Sequence, residues 1–104
     1  MIDDNDLIEL INKSEWLLEG LDKDFWKLIK LSNPEIWENP EDHNNEYSWV
    51  IAVMGNKCVF YNDEVNYFDI ASYEQWGEIR RCLQYNKSLH GLISEIINSR
   101  FKVI

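Results

Sequence analysis

"VIAVMGNKCVFY" runs from Val50 to Tyr61, and its reading decides the fold. Two runs rich in apolar and β-branched residues flank Gly55–Asn56. That pair makes a two-residue turn of the Gly-first kind, whose twist matches that of paired strands. Such a turn sets a register: Met54 opposes Lys57, Val53 opposes Cys58 and Ala52 opposes Val59. Continued outward, Ile51 faces Phe60, Val50 faces Tyr61 and Trp49 faces Asn62. Both faces of the hairpin are then mostly apolar, so the strands are expected to be central and covered on two sides. One cover should be helical. The other is either a second layer of the chain or a partner protein.

Downstream, "YFDIAS" (Tyr67–Ser72) alternates Phe68 and Ile70 with Tyr67, Asp69 and Ala71, which predicts a further strand. "WGEIRRCLQY" (Trp76–Tyr85) fits two templates. As a strand it alternates Ile79, Arg81 and Leu83 with Glu78, Arg80 and Cys82. As a helix it would use Ser72 and Gln75 as a capping box. The strand is preferred. Leu89, Leu92, Ile93, Ile96, Ile97 and Phe101 then form the apolar stripe of a closing amphipathic helix, capped by Asn86 or Ser88.

Upstream, Leu7, Leu10, Ile11, Leu17, Leu18 and Leu21 recur at helical spacing behind a cap at Asp3 or Asn5. Asp3, Asp4 and Asp6 sit where the positive end of the helix dipole favours them. Gly20 is a natural stop, and Ser14 is a point where the helix could break and restart. "DFWKLIKL" (Asp24–Leu31) again fits both templates. The strand is favoured, with Phe25, Ile29 and Leu31 on one face and Trp26 and Leu28 on the other. Ser32–Pro34 should end it, because a residue before proline avoids helical geometry. "ENPEDHNNE" (Glu38–Glu46) has no apolar residue other than its proline and reads as an exposed loop.

The expected architecture is one α+β domain over residues 1–104. It has an N-terminal helical segment, a mainly antiparallel sheet of four or five strands, and a C-terminal amphipathic helix. A hydrophobic content of 45% over 104 residues, with five Trp, five Tyr and four Phe, argues for a folded core rather than disorder. No apolar run reaches the roughly 20 residues of a membrane span. The acidic start "MIDDNDLIEL" is unlike a secretion signal, so a cytoplasmic location with no membrane partner is expected. Cys58 and Cys82 belong to no CxxC pair and read as reduced packing residues.

The net charge of −9 is unevenly spread. Residues 1–46 carry thirteen carboxylates against four lysines, whereas residues 47–104 balance at six of each sign. Nucleic acid is disfavoured as a ligand, because phosphate binding needs clustered Lys and Arg. A basic protein partner is left open, one whose encounter an acidic surface would speed.

No phosphate-binding glycine loop, nucleophile elbow or HExxH is present, and no cofactor or metal is implied. His43, beside Asp42 and Glu41, reads as a solvated loop histidine, and His90 as a boundary residue of the last helix. The "NDE" turn, Asn62–Asp63–Glu64, offers paired carboxylates for acid–base work. Its simpler reading is turn chemistry, since Asn and Asp side chains bond nearby backbone. Trp49, Phe60 and Phe68 read as core. Tyr61, Tyr67, Tyr73 and Trp76 suit either a core rim or an interface. Arg80 and Arg81 are expected to pair within the fold.

"FWKLIKL" (Phe25–Leu31) with Trp37, followed by "WVIAVMGNKCVFYNDEVNYFDIASY" (Trp49–Tyr73), resembles a group of small, mostly uncharacterised bacterial proteins. These share an aromatic strand, a Gly-turn hairpin ending in YND, and a Phe-x-Ile-Ser-like segment. The likeness spans about residues 25–85, with Ala71 standing before Ser72 where the group has Ser directly. It implies a fold and no catalytic residues. By type, rather than motif, small acidic chains of this kind also resemble immunity proteins, which neutralise toxins by binding them.

The leading expectation is therefore a non-enzymatic, acidic protein-binding domain, of the kind that inhibits a bacterial toxin. Its contact residues would be Asp63, Glu64, Tyr67 and Tyr73, or Glu41, Asp42 and Glu46 in the loop. One alternative is a small ligand-binding or enzymatic domain built on Asn62–Asp63–Glu64. Another is a structural homo-oligomer, such as a homodimer, in which the doubly apolar hairpin packs on its copy.

Overall fold

A computed structural model describes residues 1–42 and 46–99. Asp3 caps the first helix, its carboxylate accepting from the Asn5 N–H at 3.2 Å, and α1 runs unbroken over Asp4–Leu17. Ser14 is buried inside it and does not restart it. Gly20, with φ +57°, opens the second helix instead of closing the first, and α2 covers Gly20–Ile29. The favoured strand reading of Asp24–Leu31 is thus corrected. Strand alternation would have paired Trp26 with Leu28, yet Trp26 is 2% exposed and Leu28 is 84% exposed. Helical spacing puts Trp26 and Ile29 inward together and leaves Leu28 with Lys27 outside. The two templates agree on Phe25 and Ile29, so periodicity over so short a run could not separate them.

The sheet then follows as β1 (Lys30–Glu38), β2 (Tyr47–Met54), β3 (Lys57–Asn62) and β4 (Tyr67–Ser72), antiparallel in the order β1-β2-β3-β4. Pro34 does not end an element. It lies in an irregular stretch of the edge strand β1, between the pairs Lys30↔Ala52 and Glu35↔Val50, where a missing N–H costs least. The hairpin turns on Gly55 at φ +63°, as its sequence requires, and Met54↔Lys57, Val53↔Cys58 and Ala52↔Val59 pair as expected.

Beyond that the register changes. Val50, rather than Ile51, opposes Phe60, so Ile51 is the extra residue of a β-bulge. The bulge has a packing reason. It turns Ile51 and Ala52 to the same face, where both join the helix-side core, while Val50 and Val53 face the other way. The final helix, α3 (Leu89–Ser99), starts behind Ser88, whose hydroxyl accepts from the Gly91 N–H at 3.3 Å. Leu89, Leu92, Ile93 and Ile96 are its buried stripe, while Phe101 lies outside the described residues.

The outer face of the sheet carries Ile51, Val59, Tyr61, Phe68 and Ile70 against Leu7, Ile11, Trp26, Ile29 and the α3 stripe. The inner face packs Trp37, Val50, Cys58, Phe60, Ala71 and Ile79 into a second core. Its cover is the chain's own segment 73–87. The preferred strand over Trp76–Tyr85 is replaced by an irregular strap that satisfies its backbone piecemeal. The strap runs parallel to β1 at Glu38↔Glu78 and antiparallel to β4 at Ala71↔Cys82 and Phe68↔Lys87. Ile79 N–H donates to Glu38 O at 2.8 Å, and the next residue, Arg80, donates to Ser72 O at 2.9 Å. One strap therefore bonds to both edges of the sheet, at Glu38 of β1 and along β4, and covers its inner face. The three helices lie on the outer face.

Candidate functional site

The open end between strap and sheet is the candidate site. An open groove of about 550 Å³ is lined from three chain-distant segments. Asn39, Glu41 and Asp42 come from the β1–β2 connection, Asn62, Glu64 and Val65 from the β3–β4 turn, and Arg80, Arg81, Cys82, Gln84 and Asn86 from the strap. Ser48 and Phe60 form the floor. Concave sites form where loops converge in this way above a rigid wall.

Local chemistry positions each wall. At the β3–β4 turn, Asn62 Oδ1 accepts from the Glu64 N–H at 3.1 Å, and Asn66 takes the left-handed conformation at φ +57°. These are the side-chain-to-backbone bonds expected of Asn and Asp in turns. On the strap, Asp69 is fully buried in β4 and accepts from the Tyr85 N–H at 2.8 Å and the Asn86 N–H at 3.4 Å. That carboxylate ties the strap to the sheet. Asn86 and Gln84 sit at φ +50° and +59°, so the strap turns sharply where Asp69 holds it.

The expected contact residues divide. Glu41, Asp42 and Glu64 meet around the groove. Glu46 lines an adjoining hollow of about 230 Å³ together with Glu38, Asn39, Pro40, Asp42 and Tyr47. Tyr67 pairs with Asn62 in the ladder and is half exposed. Asp63 and Tyr73 are used inside the fold. Asp63 Oδ1 accepts from the Ile2 N–H at 2.6 Å, while Trp49 Nε1 donates to the Ile2 carbonyl at 2.9 Å, so both hold the N-terminal residues. The Tyr73 hydroxyl donates to Gly55 O at 2.7 Å, and its ring meets Trp37 edge-on. The turn Asn62–Asp63–Glu64 therefore does not converge as a unit. Its first and third residues face the groove and its second faces the chain start.

The charge balance of this end is negative. Arg80 lies within 3.6–3.8 Å of carboxylate oxygens of Glu41, Glu74 and Glu78, all partly solvated, so one cation is shared among three anions. This is the internal pairing expected of Arg80, while Arg81 lines the groove. Cys82 is a free, half-buried thiol. Burial, with the Asp69 and Asp42 carboxylates nearby, pushes it up to about 11 against a hydrogen bond from the Gln84 N–H. Burial likewise pushes Cys58 up to about 12. Thiolate is scarce at both near neutral pH. Among the described residues no group of three or more His, Cys, Asp or Glu is placed to hold a metal ion. His43 lies outside the described residues.

Sequence reasoning missed the floor. Asn39 was expected in an exposed loop but is 9% exposed, and Ser48 is 2% exposed. Both line the groove. A signal existed for Ser48. It stands two residues before Val50 on the inward side of β2, a polar residue in an apolar face. No family model, curated protein or solved structure matches this chain. Among the described residues no helix is long and apolar enough to cross a membrane.

Proposed function

We propose that this protein binds a basic protein partner at the acidic mouth between its strap and sheet, without catalysing a reaction. The most concrete form of that reading is an immunity-type inhibitor of a bacterial toxin, acting in the cytoplasm. The observation that carries it is the meeting of Glu41 and Asp42 with Glu64, more than twenty positions apart, around one groove. Glu38 and Glu46 extend the same sign into the neighbouring hollow. Such a surface would steer a cationic partner and fix its register, with Tyr47 and Tyr67 as aromatic contacts at the rim.

The enzymatic alternative has less support, because Asp63 turns away from its neighbours and the groove thiol is held protonated. The homo-oligomer has lost its main motive, since the strap fills the inner face of the hairpin. The test is a binding titration against the basic toxins encoded beside this protein's gene, over a salt series. Nanomolar to micromolar affinity that falls with salt, and drops at least tenfold in Glu41→Lys/Glu64→Lys, is expected. Affinity that is unmeasurable for every candidate, or indifferent to salt and to both substitutions, removes the reading.

A further inference from the structure

The β3–β4 turn brings Asn62 and Glu64 to the groove, yet most of its own hydrogen bonds are local. Asn62 Oδ1 accepts from the Glu64 N–H, Asn62 O from the Asn66 N–H at 2.8 Å, and Asn66 Oδ1 from the Tyr61 hydroxyl at 3.4 Å. Bonds of this kind shape a turn but leave it free to tilt on its two strands. Among the described residues, a single hydrogen bond ties residues 63–66 to a distant part of the chain. Asp63 Oδ1 accepts from the Ile2 N–H at 2.6 Å, across 61 positions.

Residue 2 is a fixed point. Its side chain packs against the helix-side core, its carbonyl accepts from Trp49 Nε1 at 2.9 Å, and Asp3 beside it caps α1. The other oxygen of Asp63 is buried and has no hydrogen-bond partner among the described residues. Such an orphan costs free energy that turn chemistry does not require, because Asn62 already supplies the turn's side-chain bond. What the carboxylate adds is a strong acceptor for Ile2, since a charged acceptor holds a backbone N–H more tightly than a neutral one. We infer that Ile2 and Asp63 form a clasp that sets the position of the β3–β4 turn. Asp63 is thus a positioning residue for the Glu64 contact, an inference that rests on the basic-partner reading above. Seating of residue 2 and occupation of the groove are then coupled, so that whatever frees one weakens the other.

Amide exchange reads the turn directly. Asp63→Asn keeps an acceptor for the Ile2 N–H and Asp63→Ala does not, while both remove the same charge. Trp49→Phe releases the Ile2 carbonyl and changes no charge. In the ¹⁵N-labelled full chain, exchange at Glu64 and Asn66 should accelerate about fivefold in Asp63→Ala, less in Asp63→Asn, and about threefold in Trp49→Phe. Exchange at Leu7 in α1 should stay within about twofold of wild type. Adding Trp49→Phe to Asp63→Ala should bring no further acceleration, because the clasp is already open. Equal exchange in Asp63→Asn and Asp63→Ala, or additive effects of Asp63→Ala and Trp49→Phe, would overturn the inference.

A binding arm separates the clasp from the broader reading. A lysine-only decapeptide at low salt should bind Asp63→Ala about threefold more weakly than Asp63→Asn, and should be lost in Glu41→Lys/Glu64→Lys. If it binds at the mouth with equal affinity for Asp63→Asn and Asp63→Ala, the positioning role falls and the basic-partner reading stands. If it binds no form of the protein, the basic-partner reading falls, and exchange alone upholds or removes the clasp.

Discussion

The same four strands are closed in two different ways. On the outer face they meet three regular helices whose buried residues, Leu7, Ile11, Trp26, Ile29, Leu89, Leu92, Ile93 and Ile96, are apolar, with Ser14 the exception. On the inner face they meet an irregular strap that bonds by turns to β1 and β4, and the enclosed core holds Asp69, Ser48 and Asn39 at its margins. A helix satisfies its own backbone, so it can cover a sheet with side chains alone. A strap must borrow partners from the sheet edges, and its turns need polar anchors such as Asp69. The helical side is thus built for stability. The strap side is built for shape, and one end of it stays open.

The largest expected effect contrasts the two cores. Leu92→Ala, at the helix interface, should lower unfolding free energy by about 2–5 kcal/mol and leave partner affinity of the folded protein unchanged. Ile79→Ala, in the strap, should cost a similar amount but also loosen the mouth and weaken binding. Denaturant unfolding and titration of both variants check the contrast, and it breaks if both substitutions leave affinity alike. Next in size is the strap anchor. Asp69→Ala strands the Tyr85 and Asn86 N–H groups and should cost about 3 kcal/mol, with Asp69→Asn costing less because one acceptor remains. Amide exchange at Tyr85 and Asn86 should accelerate more than that in α1.

The smallest effect belongs to the helical side and depends on pH. Glu15 accepts from Trp26 Nε1 at 2.7 Å and from Lys30 Nζ, joining α1 to α2 and to the start of β1. Burial alone would raise its carboxyl, but the two hydrogen bonds and the Lys30 charge bring it below the ordinary value. A lowered folded-state value means the unfolded chain binds the proton more readily. The contribution is therefore full above the ordinary glutamate range and fades as pH falls through it. Wild type should lose more stability than Glu15→Gln between about pH 5 and about pH 3. The difference should stay under about 1 kcal/mol, because the pair is partly solvated. Parallel pH–stability curves would remove this link.

Legibility followed the same division. Where one physical rule acted alone, the sequence was enough: the Gly55–Asn56 turn, the Asp3 cap, the Tyr67–Ser72 strand and the α3 stripe. Where templates overlapped, it was not. Phe25 and Ile29 satisfy helix and strand alike, and only tertiary burial of Trp26, with its bond to Glu15, settles the matter. The strap was illegible because its order comes from distant partners, Glu38 and Asp69 among them. The rim acids could be nominated from charge alone, but not their convergence. Asp63 and Tyr73 were nominated on the same grounds and proved to be internal ties. Asn39 and Ser48 were passed over because a polar residue in a loop, or at a strand end, ordinarily signals exposure.

Native-state hydrogen exchange at Ile79, Arg80 and Leu83 tests the central claim most directly: that the strap itself seals the inner face of the sheet. These amides donate to Glu38, Ser72 and Ile70 at 2.8–2.9 Å. The account predicts protection within about tenfold of the β2–β3 amides, and the same protection at low and high protein concentration. Exchange at loop rates, or protection that grows with concentration as copies associate, would contradict it.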